Sequence, residues 1–217
     1  MKIIWIGHSC FKIEDNQYSI IIDPYNGVPG LQEIKEKANK ILVTHGHSDH
    51  NAVDKVESED DISNNFNIKT IVLNHDNQGG KVRGKNKGYI IENEKYKIAH
   101  LGDIGCELTS EEIKELKGLD VLLIPVGGTY TIDGKEAAKL IELLKPTIAI
   151  PMHYKDNKYG FGFEKLEDIN IFINSVNEVK IMDENNIELN NLSFKINKLF
   201  MKNKTKIVIL RPQNVKL

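Results

Sequence analysis

Eight short apolar runs, most of them rich in isoleucine and valine, recur along this chain: Ile3–Ile6, Ser19–Ile22, Ile41–Val43, Thr70–Leu73, Gly88–Ile91, Lys97–Leu101, Val121–Pro125 and Thr147–Pro151. Each has strand length, and β-branched side chains favour the pleated backbone. Asp15, Asn16 and Gln17 separate Phe11–Glu14 from Ser19–Ile22, which reads as a hairpin, and Glu92–Lys95 reads as a second. Helical patterns fall between later runs. Ser110 precedes Glu111, Glu112, Ile113 and Leu116, a serine cap followed by early acids. Asp133 precedes Ala137, Ala138, Leu140, Ile141 and Leu144, and Pro146 marks a stop. A third helix is expected over about 164–174, and two strand-like runs, Leu192–Ile196 and Lys206–Leu210, close the chain.

Hairpins come first, strands and helices then alternate, and strands return at the end. No linker or low-complexity stretch divides them. The expectation is one mixed α/β (α+β) domain over residues 1–217, with two mixed sheets face to face and helices outside. Periodicity alone does not separate this from a doubly wound sheet.

Lys and Arg total 29 against 31 Asp and Glu, a net charge of −2. No basic surplus draws the chain to nucleic acid or an anionic membrane. The start, MKIIWIGHSC, lacks the long apolar core of a secretory signal, and no segment has the roughly 20 apolar residues that span a bilayer. Two cysteines, Cys10 and Cys106, make a poor disulfide framework and read as reduced thiols. A cytoplasmic protein is expected.

The chemistry concentrates where apolar runs end. Ile41–Val43 leads directly into Thr44-His45-Gly46-His47-Ser48-Asp49-His50, and only seven histidines occur in 217 residues. Two neutral imidazoles two residues apart can meet one borderline-soft cation, while Asp49 and His50 reach a second. His75 follows Thr70–Leu73, Asp103 follows Lys97–Leu101 through Gly102, and His153 follows Thr147–Pro151. Strand C-termini are where sites of α/β architectures form. Alone, His75 would read as a surface histidine and Asp103 as a turn former.

This pattern resembles the metallo-β-lactamase superfamily. The likeness runs from Trp5-Ile6-Gly7-His8-Ser9 and Ile22-Asp23-Pro24 through the HxHxDH stretch, His100-Leu101-Gly102-Asp103 and Pro125-Val126-Gly127-Gly128 to Pro151-Met152-His153-Tyr154. It is similar to the branch of small cytosolic hydrolases that includes ascorbate-6-phosphate lactonase-like proteins. The resemblance implies a four-layer αββα sandwich with the site at one edge between the sheets. It implies that His45, His47 and His75 bind one metal, that Asp49, His50 and His153 bind another, and that Asp103 bridges them. Asp23 would orient the site. Two divalent cations would share a hydroxide, making Asp49 and Asp103 part of the catalytic apparatus. Zinc suits these donors best, and manganese or iron also fits them.

Other residues stay open. His100 competes with His75 as third ligand of the first metal; otherwise it is an orienting residue or a histidine bonded to backbone. His8 reads as a substrate contact or proton donor outside the metal set, or as a plain loop histidine. Tyr130 is a substrate hydrogen-bond donor or a packing residue, and Lys81, Arg83, Lys85 and Lys87 form an anion-holding loop or a solvated charge run. Cys106 reads as an inert thiol near the pocket. The expected activity is hydrolysis of an ester, lactone or phosphoester of a small anionic metabolite. Alternatives are a phosphodiesterase or nuclease acting on RNA or nucleotides, which needs a basic surface, and a di-iron redox protein. A non-enzymatic metal-holding module and an exported β-lactam hydrolase fit less well. A homo-oligomer is compatible with the sequence, but no residue demands one.

Overall fold

The computed structural model describes residues 1–60, 62–190 and 204–216. The strands in chain order are β1 (Lys2–Gly7), β2 (Cys10–Asp15), β3 (Tyr18–Ile22), β4 (Glu36–Ala38), β5 (Lys40–Leu42), β6 (Val56–Ser58) and β7 (Asn67–Asn74). They continue with β8 (Lys85–Glu92), β9 (Lys97–His100), β10 (Val121–Pro125), β11 (Ile148–Met152), β12 (Val179–Ile181), β13 (Asn186–Glu188) and β14 (Lys206–Ile209). Three α-helices, α1 (Ser110–Glu115), α2 (Gly134–Leu144) and α3 (Ile169–Ile173), lie in the C-terminal half. The expected strand Leu192–Ile196 lies outside the described residues.

Two mixed sheets form the body. One has the order β13-β1-β2-β3-β5, the other β12-β14-β11-β10-β9-β8-β7, and β4 and β6 make a small parallel pair. Both expected hairpins are present: β2 and β3 pair from Phe11↔Ile22 to Asp15↔Tyr18, and β8 and β9 close on Glu92↔Lys97. The sheets share one apolar core. Strands β3, β10 and β11 are buried along their whole length, so their sequences read as continuous apolar runs. β7, at the edge of its sheet, alternates instead: Ile71 and Leu73 face inward while Val72 is 62% exposed.

Strand direction decides where the chain delivers its chemistry. β1 and β3 each run antiparallel to β2, and β3 runs parallel to β5, so β1, β3 and β5 share one direction. β9, β10 and β11 are mutually parallel, and two antiparallel steps through β8 bring β7 into the same direction. The C-terminal ends of each set therefore gather at one edge of its sheet.

The helices follow from local signals. The Asp133 side chain accepts from Lys135 N and Glu136 N, Glu136 returns the bond to the Asp133 amide, and Lys145 closes α2 at φ 52° before Pro146. α1 is capped by Thr109 rather than Ser110, because the Thr109 hydroxyl reaches the Glu112 amide and Ser110 is already helical. α3 is shorter than the expected 164–174. Glu167 spends its N–H on the Gly127 carbonyl and its carbonyl on the Lys155 amide, so the helix starts only after Asp168. No helix among the described residues is long and apolar enough to cross a membrane. Both cysteines are free thiols, Cys10 buried and Cys106 half-buried.

Candidate metal centre

Nearly every histidine and aspartate singled out in the sequence stands just past a strand end on that shared edge. His8 follows β1, Asp23 follows β3, and His45 to His50 follow β5 on one sheet. His75 follows β7, Asp103 follows β9 and His153 follows β11 on the other. Backbone bonds fasten the two sets across the gap: Lys87 N–H donates to Thr44 O at 2.9 Å and His153 N–H to His8 O at 3.3 Å.

The donors converge on Asp103. Its Oδ2 lies 3.1 Å from His153 Nε2, 3.3 Å from His50 Nε2, 3.6 Å from His75 Nε2 and 3.8 Å from His45 Nε2. Asp49 Oδ2 lies 3.6 Å from His50 Nε2. All of these separations exceed a charge-assisted hydrogen bond, which runs about 2.7–2.9 Å. They suit donors that share a cation, because ligands about 2.0–2.1 Å from tetrahedral zinc stand roughly 3.3 Å apart. Among the described residues three compact donor groups result: His45 with His47 and His75, Asp49 with His50, His153 and His8, and Asp23 with His45 and His50.

Protonation states strengthen the fit. Thr44 Oγ1 gives its one hydrogen to Asp23 Oδ2 at 2.6 Å, so it accepts from His45 Nδ1 at 3.0 Å. His50 Nδ1 donates to the same Asp23 carboxylate at 2.8 Å. In both rings the Nε2 is left facing the cluster. His45 Nε2, His50 Nε2, His75 Nε2 and Asp103 Oδ1 are buried without a hydrogen-bond partner. Four such atoms around one point would be costly in a finished apolar interior. A divalent cation satisfies them, so the residues fit the metal that the donor set implies.

The electrostatics match a cation site. Burial alone would raise the Asp103 carboxyl, but His153 and His50 hold it well below the carboxylate range. Burial opposes ionisation of Asp23 too, and His50 outweighs it. Burial would discharge His50, yet Asp103 and Asp23 raise it well above its ordinary value. His45, desolvated and only partly compensated by Asp103, is pushed down to about 4.

His75 groups with His45 and His47, while His100 does not reach the cluster. Its Nε2 donates to Ser9 O at 2.9 Å, and its Nδ1 accepts from Gly102 N–H at 3.1 Å. With both nitrogens committed to backbone and no exposed surface, it takes the backbone-bonded reading, and its readings as third ligand or catalytic residue are corrected. It pins the Ser9 turn of one sheet to the other. His8 also departs from an exposed loop histidine: it has no exposed surface, and its Nε2 lies 3.3 Å from Asp49 Oδ2.

Several positioning residues carried no sequence signal. Asn86, inside β8 between two lysines, is fully buried; its Oδ1 accepts from Asp103 N–H at 3.0 Å and its Nδ2 donates to Leu101 O at 2.7 Å. Asp76, next to His75, accepts from the amides of Gln78, Gly80, Val82 and Arg83. Those bonds, Arg83 N–H foremost, hold its carboxyl down to about 2. They fold the basic loop so that the Arg83 guanidinium lies 4.6 Å from the Tyr130 ring centroid. Gly127 permits contact with protein rather than with ligand, since a Cβ there would stand 2.0 Å from His153 O. Cys106 only approaches Asn74 O, at 3.9 Å.

A sandwich of two mixed sheets with this donor cluster at one edge defines a class, and comparison with known proteins agrees. A family model described as the beta-lactamase superfamily domain matches residues 2–153, from β1 to the last histidine of the cluster. The chain belongs to the metallo-β-lactamase superfamily. A UPF0173 metal-dependent hydrolase of Thermococcus onnurineus is 36% identical over 190 residues, covering 71% of this chain and 84% of that protein. Its counterpart in Thermoplasma acidophilum is 31% identical over 188 residues, covering 71% and 83%. The solved structure of a Thermotoga maritima protein assigned to the Zn-dependent hydrolases of the superfamily superposes with a TM-score of 0.72 at 30% identity, covering 96% of this chain and 97% of that one.

Proposed function

We propose that this metal-dependent hydrolase holds two divalent cations, zinc foremost, and cleaves an ester, lactone or phosphoester bond of a small anionic metabolite. The observation that carries the reading is the set of buried, partnerless donor atoms on His45, His50, His75 and Asp103. His45, His47 and His75 would hold one cation, Asp49, His50 and His153 the other, and Asp103 lies within reach of both groups. A bound pair supplies Lewis acidity and lowers the pKa of water toward neutrality, so no strong side-chain base is needed. The chain's own residues do the rest. Asp23 fixes the His50 ring, Thr44 fixes His45, and Asn86 aims Asp103. The exposed His47 marks the open side of the centre.

Arg83 supports the anionic substrate class. It extends from the loop behind His75, stacks on Tyr130 from the loop after β10, and has no carboxylate partner among the described residues. A planar guanidinium held this way presents a fork suited to carboxylate or phosphate. A nuclease reading draws less support, since the net charge is −2. We place the protein in the cytoplasm on its sequence alone.

Elemental analysis of protein purified without added metal, with bis(p-nitrophenyl) phosphate and lactone assays after reconstitution, tests the proposal. Two equivalents of zinc or manganese and metal-dependent turnover are expected. Asp103→Ala should lose turnover and metal while its circular dichroism stays native, because the core is too large to depend on the metal for folding. Two irons without hydrolysis would replace hydrolysis with redox chemistry, and no metal after reconstitution would end the metal reading.

A further inference from the structure

We propose that His8 is a further protein ligand of the second cation, beside Asp49, His50, His153 and the shared Asp103. The inference rests on the two-metal reading above and adds a residue outside the set that the sequence pattern implies. One donor atom from each of His8, Asp49, His50 and His153 lies within 4.8 Å of the other three. The His8 ring sits 4.3 Å from the His153 ring and 5.3 Å from the His50 ring, centroid to centroid.

The alternative is a hydrogen bond that merely positions Asp49, and the 3.3 Å contact is long for a charge-assisted one. His50 Nδ1 meets Asp23 at 2.8 Å, the length of a true charge-assisted bond. His8 Nε2 stands 3.3 Å from Asp49 Oδ2, matching the 3.3 Å between His50 Nε2 and Asp103 Oδ2. That is the spacing of two donors on one cation. His8 Nδ1 is buried without a partner, as are Nδ1 of His75 and His153. His100, the histidine with a structural role, has both nitrogens bonded to backbone.

The backbone is built to aim the ring. His8 adopts the left-handed φ of 52°, which a non-glycine residue takes at a cost. Its carbonyl is gripped by Trp5 Nε1–H at 3.0 Å and His153 N–H at 3.3 Å. The side chain has no exposed surface and packs against Phe163 as well as the cluster.

A consequence follows for the two sites. With Asp103 counted at both, the second cation would have five protein donors and the first four, one of them the exposed His47, so the first is the more open. A chelator would then strip the first cation sooner.

The deciding measurement is cadmium NMR on the unmodified protein loaded with two equivalents, with histidine ring nitrogens labelled and His8 assigned by comparison with His8→Gln. A scalar coupling between bound cadmium and His8 Nε2, alongside couplings to His50 and His153, is expected. Couplings to His50 and His153 with none to His8 would overturn this proposal and leave the two-metal reading intact. No cadmium bound at all would remove both. Cobalt titration of His8→Gln gives a second reading. Affinity for one of the two equivalents should fall by more than the roughly 10–100-fold typical of an outer hydrogen-bond partner, with the other equivalent unchanged. A fall within or below that range would make His8 a positioning residue.

Discussion

Asp23 shows how much of the centre depends on a residue that meets no substrate. One carboxylate takes the Thr44 amide at 2.8 Å, the Thr44 hydroxyl and the His50 ring. It thereby fixes the orientation of His50 and, through Thr44, of His45. Asp23→Asn would keep the shape but force an amide donor against one of those donors. Metal affinity should fall about 10–100-fold with the fold unchanged, which isothermal titration with zinc would measure; unchanged affinity would refute the role. His50 also makes a pH prediction. Burial would discharge it, but Asp103 and Asp23 raise it well above its usual value, so the metal-free centre keeps a proton there near neutrality. A cation on Nε2 must displace that proton, so apparent affinity should fall as pH falls. Calorimetry in buffers of different ionisation enthalpy should detect about one proton released on filling the centre.

At the scale of elements, strand direction places the donors and the helices brace the frame. α2 buries Ala137, Leu140, Ile141 and Leu144 and contacts β10 and α3, far along the chain from the first histidines. Its start depends on Asp133, which satisfies two helix amides. Asp133→Ala should cost about 1 kcal/mol, a drop in Tm of roughly 2–4 °C for a domain of this size. Metal content and turnover should not change. A loss of metal in that variant would mean that α2 and the centre are coupled in a way the contacts do not explain.

The whole molecule presents its two sheets as two halves of one clamp. His8, Asp23 and His45 to His50 come from one sheet, and His75, Asp103 and His153 from the other. A cation shared between them would cross-link the sheets and bind only the folded state. At a free zinc concentration 100 times the dissociation constant, this linkage is worth about 2.7 kcal/mol. Tm should then rise by roughly 5–10 °C and return to the metal-free value on chelation. Scanning calorimetry at graded zinc concentrations checks this, and a Tm independent of zinc would show that the sheets are not bridged.

Local chemistry made much of this legible in the sequence. Isoleucine- and valine-rich runs announced β1, β3, β5 and β7 to β11, because strands buried on one or both faces favour branched apolar side chains. Asp133 and Pro146 bounded α2 because caps and prolines act within a few residues. Histidines just past strand ends announced the candidate centre, since imidazoles so placed are hard to explain otherwise. What only the tertiary structure decided depends on contacts between residues far apart in sequence. The sequence favours His75 over its competitor His100 without separating them, and they separate in space because Ser9, 91 residues from His100, supplies the carbonyl that occupies its ring. Asn86 looks like a surface residue between lysines until the sandwich closes over it. His8 looks like a loop histidine until β1 and β11 set it beside His153. A sequence lists its donor atoms, but their distances and free valences are set when two sheets come together.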